Sequence, residues 1–174
     1  MNYNPTQLDE YVARFQTMPP FNIHHIVDGG LDTQPWFEVR GIEIVAQLVI
    51  NEVDLYNQVV QITAEIQKWG RLAAQTRRVW EIWERNYRAW RSRCYLDQID
   101  PPDKPDDWKK PTEKAIEARY RINPVYHDFY RRIEAAEEAN SATEAILNAF
   151  RAKKDMLLRF AYKSRDDSAP RLFV

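Results

Sequence analysis

The chain has 174 residues and a formal net charge of −1, with 44% hydrophobic and 29% charged side chains. This length and balance are typical of a single domain with its own core. The four glycines form no glycine-rich phosphate loop, and the single Cys94 excludes an internal disulfide and a cysteine zinc cluster. With no export signal and no apolar run near the roughly 18 residues of a membrane helix, we expect a cytoplasmic protein without a membrane partner.

Residues 1–40 are expected to form an N-terminal appendage. Pro5 stiffens the entry to a short helix over residues 6–17. The apolar face of this helix consists of Leu8, Tyr11, Val12 and Phe15. Helical periodicity then stops, and NIHHIV and PWFEV on either side of DGG predict a small β-hairpin.

A long helix is expected over residues 42–96, about 80 Å in length. Its apolar positions alternate four and three residues apart, which indicates packing along another helix. They are Leu55, Val59, Ile62, Ile66, Trp69, Ala73, Thr76, Trp80, Trp83, Tyr87, Trp90 and Cys94. Gly70 interrupts this helix at a cost of roughly 1 kcal/mol relative to alanine. The prolines and aspartates of DQIDPPDKPDDWKKP end it.

A second helical region follows this proline-rich loop. KPTEKAIEARYRI predicts three turns up to Asn123, and Pro124 begins a helix that continues to about Ser164. Its apolar stripe contains Tyr126, Phe129, Ile133, Ala136, Ala142, Leu147, Phe150, Leu157 and Ala161. The fold class is therefore mainly all-α, with a long, coiled-coil-like antiparallel hairpin. Residues 41–174 are expected to form one domain for oligomerisation and nucleic-acid binding.

Two helices alone cannot cover the whole apolar surface of the first one. Trp69 and Trp80 are assigned to the core, since aromatic residues at this spacing usually pack between helices. Further apolar side chains widen the stripe on both sides: Val60, Leu72, Val79 and Ile82. This width predicts a homo-oligomer.

The charge of the first long helix changes sign at Lys68. Residues 42–67 contain four acidic residues and no lysine or arginine, whereas residues 68–93 contain eight basic residues against Glu81 and Glu84. Two glutamates cannot neutralise eight cations, so this excess favours an extended anion such as a phosphate backbone. Arginine forms forked contacts with phosphate, and neighbouring aromatic rings suit single strands. The interface residues expected in this helix are Lys68, Arg71, Arg77, Arg78, Arg85, Arg88, Arg91 and Arg93, with Tyr87 and Trp90 as stacking rings.

Two other classes of function compete with nucleic-acid binding. In a helical scaffold, the arginines would face an acidic protein partner or the carboxylates of another subunit, such as Glu43, Glu52, Asp54 and Glu65. An enzyme is less well supported, because His24 and His25 point to opposite faces of a strand and His127 is isolated. Cys94 lies in the apolar stripe. We therefore expect no catalysis, no metal and no cofactor.

Three features together resemble the UvsY-like recombination mediators of bacteriophages. They are a basic helix ending in WRSR, the segment KPTEKAIEARYRINPVY, and the helix AEEANSATEAILNAFRAKKDMLLRFAY. In that family a basic helix leads through an irregular loop to a lysine- and threonine-containing segment, then to a long helix ending in an aromatic residue and lysines. The corresponding stretches here are residues 77–93, 110–116 and 145–162. The resemblance covers about residues 68–163, and nothing before Lys68 has a counterpart.

The resemblance implies a helical homo-oligomer in the cytoplasm of a bacterial host. It would bind single-stranded DNA, help displace the single-strand binding protein and load a RecA-like recombinase, without catalysis. By this resemblance the DNA contact falls to Arg77, Arg78, Arg85, Arg88, Arg91 and Arg93, with Lys109, Lys110 and Lys114 as a secondary patch. Lys153 and Lys154 are weaker candidates, since solvated lysines near a helix C-terminus fit equally well.

Overall fold

The computed structural model describes residues 6–27 and 30–168. Its elements are α1 (Thr6–Gln16), β1 (Phe21–Val27), β2 (Gly30–Val39), α2 (Gly41–Leu48), a one-turn 3₁₀ helix (Glu52–Asp54), α3 (Leu55–Ile99), α4 (Glu113–Arg121) and α5 (Pro124–Ser168). The expected mainly α fold is confirmed. The short N-terminal helix and the β-hairpin are also confirmed, with β1 and β2 antiparallel from Phe21 opposite Val39 to Val27 opposite Gly30.

The two longest helices, α3 and α5, pack against each other as the predicted antiparallel hairpin. Near one end, the ring of Trp69 stacks on Phe150 with centroids 6.2 Å apart. Further along, Trp83 meets Phe129 edge-on at 6.3 Å. Residues later in α3 contact residues earlier in α5, so the two helices run in opposite directions. All twelve apolar positions predicted for α3 are buried or half-buried, whereas on α5 only Ala161 of the predicted stripe is exposed.

The single helix expected over residues 42–96 is wrong, because the chain leaves the helical path between α2 and α3. Polar side chains hold this break. The Asn51 side chain accepts a hydrogen bond from the Val53 backbone at 3.0 Å, and Gln58 Nε2 donates to the Asn51 carbonyl at 2.6 Å. These bonds satisfy backbone groups that a continuous helix would have paired internally. The heptad pattern itself begins at Leu55, where α3 begins.

One core joins the N-terminal elements to α3 and α5. Phe15 of α1, Ile23 of β1 and Leu48 of α2 are buried in the same cluster as Trp69 and Phe150. The segment before residue 41 therefore contributes to the core that positions α3.

The N-terminal elements also correct part of the argument for self-association. Leu72 and Val79 were expected to remain uncovered, yet each is only 6% exposed within one chain. Leu72 belongs to the cluster that contains Ile23 and Val39, so the β-hairpin covers this side of α3. Ile82 is half-buried, and Val60 is 59% exposed. Of the four flanking residues, only Val60 still presents an open apolar surface.

Burial changes along α3. Its fully buried residues all precede Trp80: Ile62, Trp69, Leu72, Ala73, Thr76 and Val79. Beyond that point the aromatic side chains through which α3 contacts α4 and the start of α5 are themselves half-buried, although Tyr120 of α4 is buried. We call residues 80–133 the tip of the hairpin and the remaining described part its base. Most of the predicted basic interface lies on the tip.

The loop between α3 and α4 folds back onto the tip. Trp108 Nε1 donates to the carbonyl of Ile99 at 3.4 Å. The Thr112 side chain caps α4 by accepting a hydrogen bond from the Ala115 backbone at 3.3 Å. The Tyr120 hydroxyl then donates to the Arg91 carbonyl at 3.4 Å, which holds α4 beside α3.

Candidate nucleic-acid interface

Three arginines form a row on the outer side of α3. Arg71, Arg78 and Arg85 are exposed, and each follows by two residues a side chain that faces α5: Trp69, Thr76 and Trp83. Two residues correspond to about 200° around a helix, so the three arginines point away from α5. Their seven-residue spacing separates neighbours by about 10 Å. We call these three residues the arginine row.

The carboxylates near α3 pair with other cations and leave the arginine row unpaired. The ion pairs are Lys68–Glu65 at 3.6 Å, Arg77–Glu81 at 3.2 Å, Arg88–Glu84 at 2.7 Å and Arg91–Glu117 at 3.9 Å. Among the described residues, no ion pair includes a member of the row or the exposed Arg93. The sequence argument that local glutamates cannot neutralise this helix therefore fits the geometry.

The paired arginines are still accessible to a ligand. The Arg88 side chain is 74% exposed and that of Arg77 is 65% exposed. Exposed ion pairs of this kind contribute only about 0.2–1 kcal/mol. A phosphate group can therefore replace or share the carboxylate partner at little cost.

Lys68 differs from the arginines because it is held at the base of the hairpin. Its ammonium group lies 5.5 Å from the ring centroid of Trp69 and 6.0 Å from that of Phe37. Glu65 and these rings give Lys68 partners from its own chain, while 46% of its side chain stays exposed. Lys68 thus stands at one end of the predicted interface, about 47 Å along the helix axis from Ile99.

Tyr87 and Trp90, expected to stack with bases, pack mainly against other aromatic rings. Tyr87 lies within 6.1 Å, between ring centroids, of rings on both sides of it: Trp90, Tyr126, Phe129 and Tyr130. Trp90 lies 5.7 Å from Phe129 and 6.0 Å from Tyr120. Both are half-buried, so packing between α3, α4 and α5 explains their rings. Their role in base stacking stays a prediction.

The secondary lysine patch lies at the tip. Lys109 and Lys110 are exposed in the loop beside Trp108, and Lys114 is exposed in the first turn of α4. Since Trp108 and Tyr120 tie these segments to α3, the three lysines belong to the same end of the hairpin as Arg91 and Arg93. They are distant along the hairpin from Lys68.

Lys153 corrects a sequence expectation, because it is neither a solvated cation nor an accessible DNA contact. It is 6% exposed, and its ammonium group donates to the carbonyls of Gln47 at 2.8 Å and Val49 at 2.9 Å. Burial lowers the pKa of Lys153. It therefore completes the C-terminal end of α2 from inside the core. Lys154, the next residue, is exposed.

The sequence pattern around Lys153 could have predicted that this lysine is buried. It lies three residues after Phe150 and four before Leu157, which places it on the apolar face of α5. A lysine on such a face calls for a buried acceptor, and here two carbonyls at the end of α2 accept its hydrogen bonds.

One segment of α5, residues 134–144, carries the opposite charge on its exposed surface. Exposed glutamates occupy four positions there: Glu134, Glu137, Glu138 and Glu144. Within the described part of the chain, none of them forms an ion pair. The arginine row of α3 therefore presents unpaired cations, and residues 134–144 of α5 present unpaired carboxylates.

Among the described side chains, His24, His127 and Cys94 form no recognisable reactive site. The backbone carbonyl of His24 accepts a hydrogen bond from Gln75 at 2.6 Å, and the His127 ring lies edge-on to Tyr126 at 5.4 Å. The side chain of His25 lies outside the described residues. Burial raises the pKa of Cys94, which disfavours its thiolate. Over the ranges 6–27 and 30–168, no three His, Cys, Asp or Glu residues are grouped to hold a metal ion.

None of the helices within the described residues is both long and apolar enough to cross a membrane.

Comparison with known proteins identified no relative of this chain. No family model, curated protein or solved structure matches it.

Proposed function

We propose that the protein binds single-stranded DNA along the outer side of α3 and acts without catalysis as a recombination mediator. The observation that carries this proposal is the arginine row. Arg71, Arg78 and Arg85 are exposed and lack a carboxylate partner among the described residues. They span about 21 Å of helix. Like charges in such an array repel one another, and a polyanion lying along them relieves this repulsion.

The residue types around the row suit a phosphate backbone, and the fold favours a single strand over a duplex. Guanidinium groups bind phosphate oxygens in a forked geometry, and further cations continue the track towards the tip at Arg88, Arg91 and Arg93. Within residues 6–27 and 30–168, the helices form a long hairpin and no compact helix-turn-helix reader of duplex DNA.

The more specific role follows from the UvsY-like resemblance of residues 68–163. We propose that self-associated copies hold the strand, help displace a single-strand binding protein and help load a RecA-like recombinase, in the cytoplasm of a bacterial host. These steps require binding and assembly, and no covalent bond is made or broken.

Fluorescence anisotropy with labelled oligonucleotides tests the DNA contact. We expect wild-type protein to prefer a 30-nucleotide single strand to a duplex of the same length. The logarithm of affinity should fall with the logarithm of salt concentration, with a slope near −0.7 for each phosphate contacted. The double variant Arg78→Gln/Arg85→Gln should bind more weakly and show a smaller slope. Arg151→Gln removes an exposed arginine of α5 and is the matched control.

Two results would overturn this proposal. One is the absence of wild-type binding to single strands at low salt. The other is equal binding by Arg78→Gln/Arg85→Gln, Arg151→Gln and the wild type.

A helical scaffold is the second candidate, favoured by the opposite charges of the arginine row and of residues 134–144 of α5. The arginine row of one copy could contact the exposed glutamates of α5 in another copy. In that case, Glu137→Gln/Glu144→Gln should weaken self-association in analytical ultracentrifugation at low salt. An assembly that loses mass with this variant, in protein that binds no oligonucleotide, supports the scaffold over the DNA-binding function.

A further inference from the structure

An open cavity of about 530 Å³ lies on α3 beside the far end of the arginine row. It is lined by Arg88, Arg91, Ser92, Tyr95 and Leu96. These positions share one side of the helix, since they lie three, four, seven and eight residues after the first. Ser92 follows Arg85 by seven residues, so it continues the line of the row. A strand lying along the row would therefore run into this cavity.

The lining combines the groups that a nucleotide needs. Two guanidinium groups suit phosphate oxygens, and the Tyr95 ring offers a flat apolar surface for a base. Leu96 is 64% exposed and adds apolar surface beside the ring. The volume falls within the roughly 300–1,000 Å³ of ordinary small-molecule sites.

Tyr95 differs from the two aromatic residues singled out in the sequence. Among the described side chains, its ring has no aromatic partner and its hydroxyl forms no hydrogen bond. By contrast, the ring centroid of Tyr87 lies 5.9 Å from that of Phe129, and the centroid of Trp90 lies 6.0 Å from that of Tyr120. Tyr95 is half-buried, so its position is held while part of its surface stays open. Of these three rings, Tyr95 is the one free to receive a base.

The carboxylates near the cavity leave room for a phosphate group. Arg88 donates one hydrogen bond to Glu84 at 2.7 Å, and Arg91 lies 3.9 Å from Glu117, beyond hydrogen-bond distance. A guanidinium group has five N–H donors. Most of the donors of both arginines are therefore available to a ligand.

We propose that this cavity seats one nucleotide of the bound strand, with its base stacked on Tyr95 and its phosphate group on Arg88 and Arg91. The proposal rests on the single-strand function proposed above and adds a site where the protein contacts a base. In this proposal the protein distinguishes a strand with bases from a bare sugar-phosphate backbone through Tyr95.

The test compares two probes, oligo(dT) of 30 nucleotides and an abasic oligonucleotide of the same length. Stacking of one base corresponds to about 5- to 150-fold in affinity. We expect Tyr95→Leu to lose that factor for oligo(dT) and to leave binding of the abasic strand unchanged. Tyr95→Phe, which keeps the ring, should bind both probes as the wild type does. Tyr56→Leu is the matched control, since Tyr56 is exposed at the other end of α3. Circular dichroism melting verifies that each variant is folded.

The outcomes separate the two proposals. If Tyr95→Leu binds oligo(dT) as tightly as the wild type while Arg78→Gln/Arg85→Gln binds it weakly, the nucleotide site is wrong and the DNA-binding function stands. If Tyr95→Leu weakens both probes equally, the side chain acts on the backbone contact and base stacking is overturned. If wild-type protein binds neither probe, both proposals fail.

Discussion

The hydroxyl groups of Thr76 and Thr143 lie 2.8 Å apart at the buried interface of α3 and α5. They are 2% and 0% exposed, and each is also within hydrogen-bond distance of carbonyls of its own helix. Each hydroxyl has a single proton, so one donates to the other across the interface. The hydroxyl that accepts is left to donate to a carbonyl of its own helix or, if it is Thr76, to Asn140 Oδ1 at 3.5 Å. This polar contact sets the two helices in register at the middle of an apolar surface.

The threonine pair should behave non-additively in a double-mutant cycle. Either Thr76→Val or Thr143→Val leaves a buried hydroxyl without the hydroxyl of the other threonine, at a cost of about 0.5–1.5 kcal/mol in the free energy of unfolding. The double variant removes both polar groups together and should cost less than the sum of the two single changes. Urea unfolding measures all four proteins. Additive costs would show that the hydroxyls do not interact.

Two glycines should respond to alanine in opposite directions. A Cβ atom at Gly41 would overlap the carbonyl oxygen of Phe15, whereas one at Gly70 would meet no atom within 4 Å. Gly41→Ala must therefore displace the backbone of α1 and lower the free energy of unfolding. Gly70→Ala should raise it by about 0.5–1 kcal/mol, because alanine favours a helix interior. Thermal unfolding of both variants checks this, and equal shifts in Tm would contradict the close approach of α2 to α1.

Substitution of Lys153 should lower the free energy of unfolding more than substitution of an exposed lysine. Lys153→Met keeps most of the side-chain volume but leaves the carbonyls of Gln47 and Val49 without their donor. The cost at neutral pH should be about 1–3 kcal/mol in the free energy of unfolding. Lys154→Met, the exposed neighbour, is the control and should change stability little.

The stability contributed by Lys153 should also depend on pH. Burial lowers the pKa of Lys153 in the folded protein below its ordinary value of 10.5. Between those two values the unfolded chain binds more protons than the folded one, so stability rises with pH. The free energy of unfolding of the wild type, relative to Lys153→Met, should therefore increase as pH approaches 10.5. A decrease would mean that the carbonyls raise the pKa of Lys153.

Tyr126, at the tip, should lose its phenolic proton only at unusually high pH. A hydrogen bond with Tyr130, together with burial, raises the pKa of Tyr126 to about 12. Because the folded state holds this proton, the stability from Tyr126 is present below pH 10 and is lost as pH rises towards 12. Absorbance at 295 nm should show a late tyrosinate step that is missing in Tyr126→Phe. Tyr130→Phe should move that step to lower pH, and an unchanged step would exclude the hydrogen bond as its main cause.

Periodicity was sufficient to predict the hairpin. The positions from Leu55 to Cys94 could be read from their spacing because one helix meets the other along a repeating apolar stripe. The break before α3 could not be predicted in this way. It depends on hydrogen bonds between Asn51 and Gln58 and on Lys153, which lies 104 residues after Val49 in the sequence.

The candidate site was predicted in part. The exposed arginine row followed from its heptad spacing and from the shortage of nearby acids. Tyr87 and Trp90 were predicted to stack with bases because they stand among arginines. Their ring contacts come from α4 and α5, which the sequence of α3 does not reveal. Tyr95 lies outside the apolar stripe, and its open ring becomes evident only when the surrounding side chains are placed.

The change in burial along α3 divides one continuous helix into two parts of different local stability. Residues 62–73 share a core with α1, α2, the β-hairpin and α5, and Thr76 and Val79 are also buried, whereas no residue of α3 from Trp80 onward is fully buried. Amide protons of residues 80–99 should therefore exchange with solvent through local openings, while those of residues 62–79 should exchange only on global unfolding. The end of the helix that carries Arg85 and Tyr95 can thus adjust its shape to a ligand without loosening the rest of the molecule.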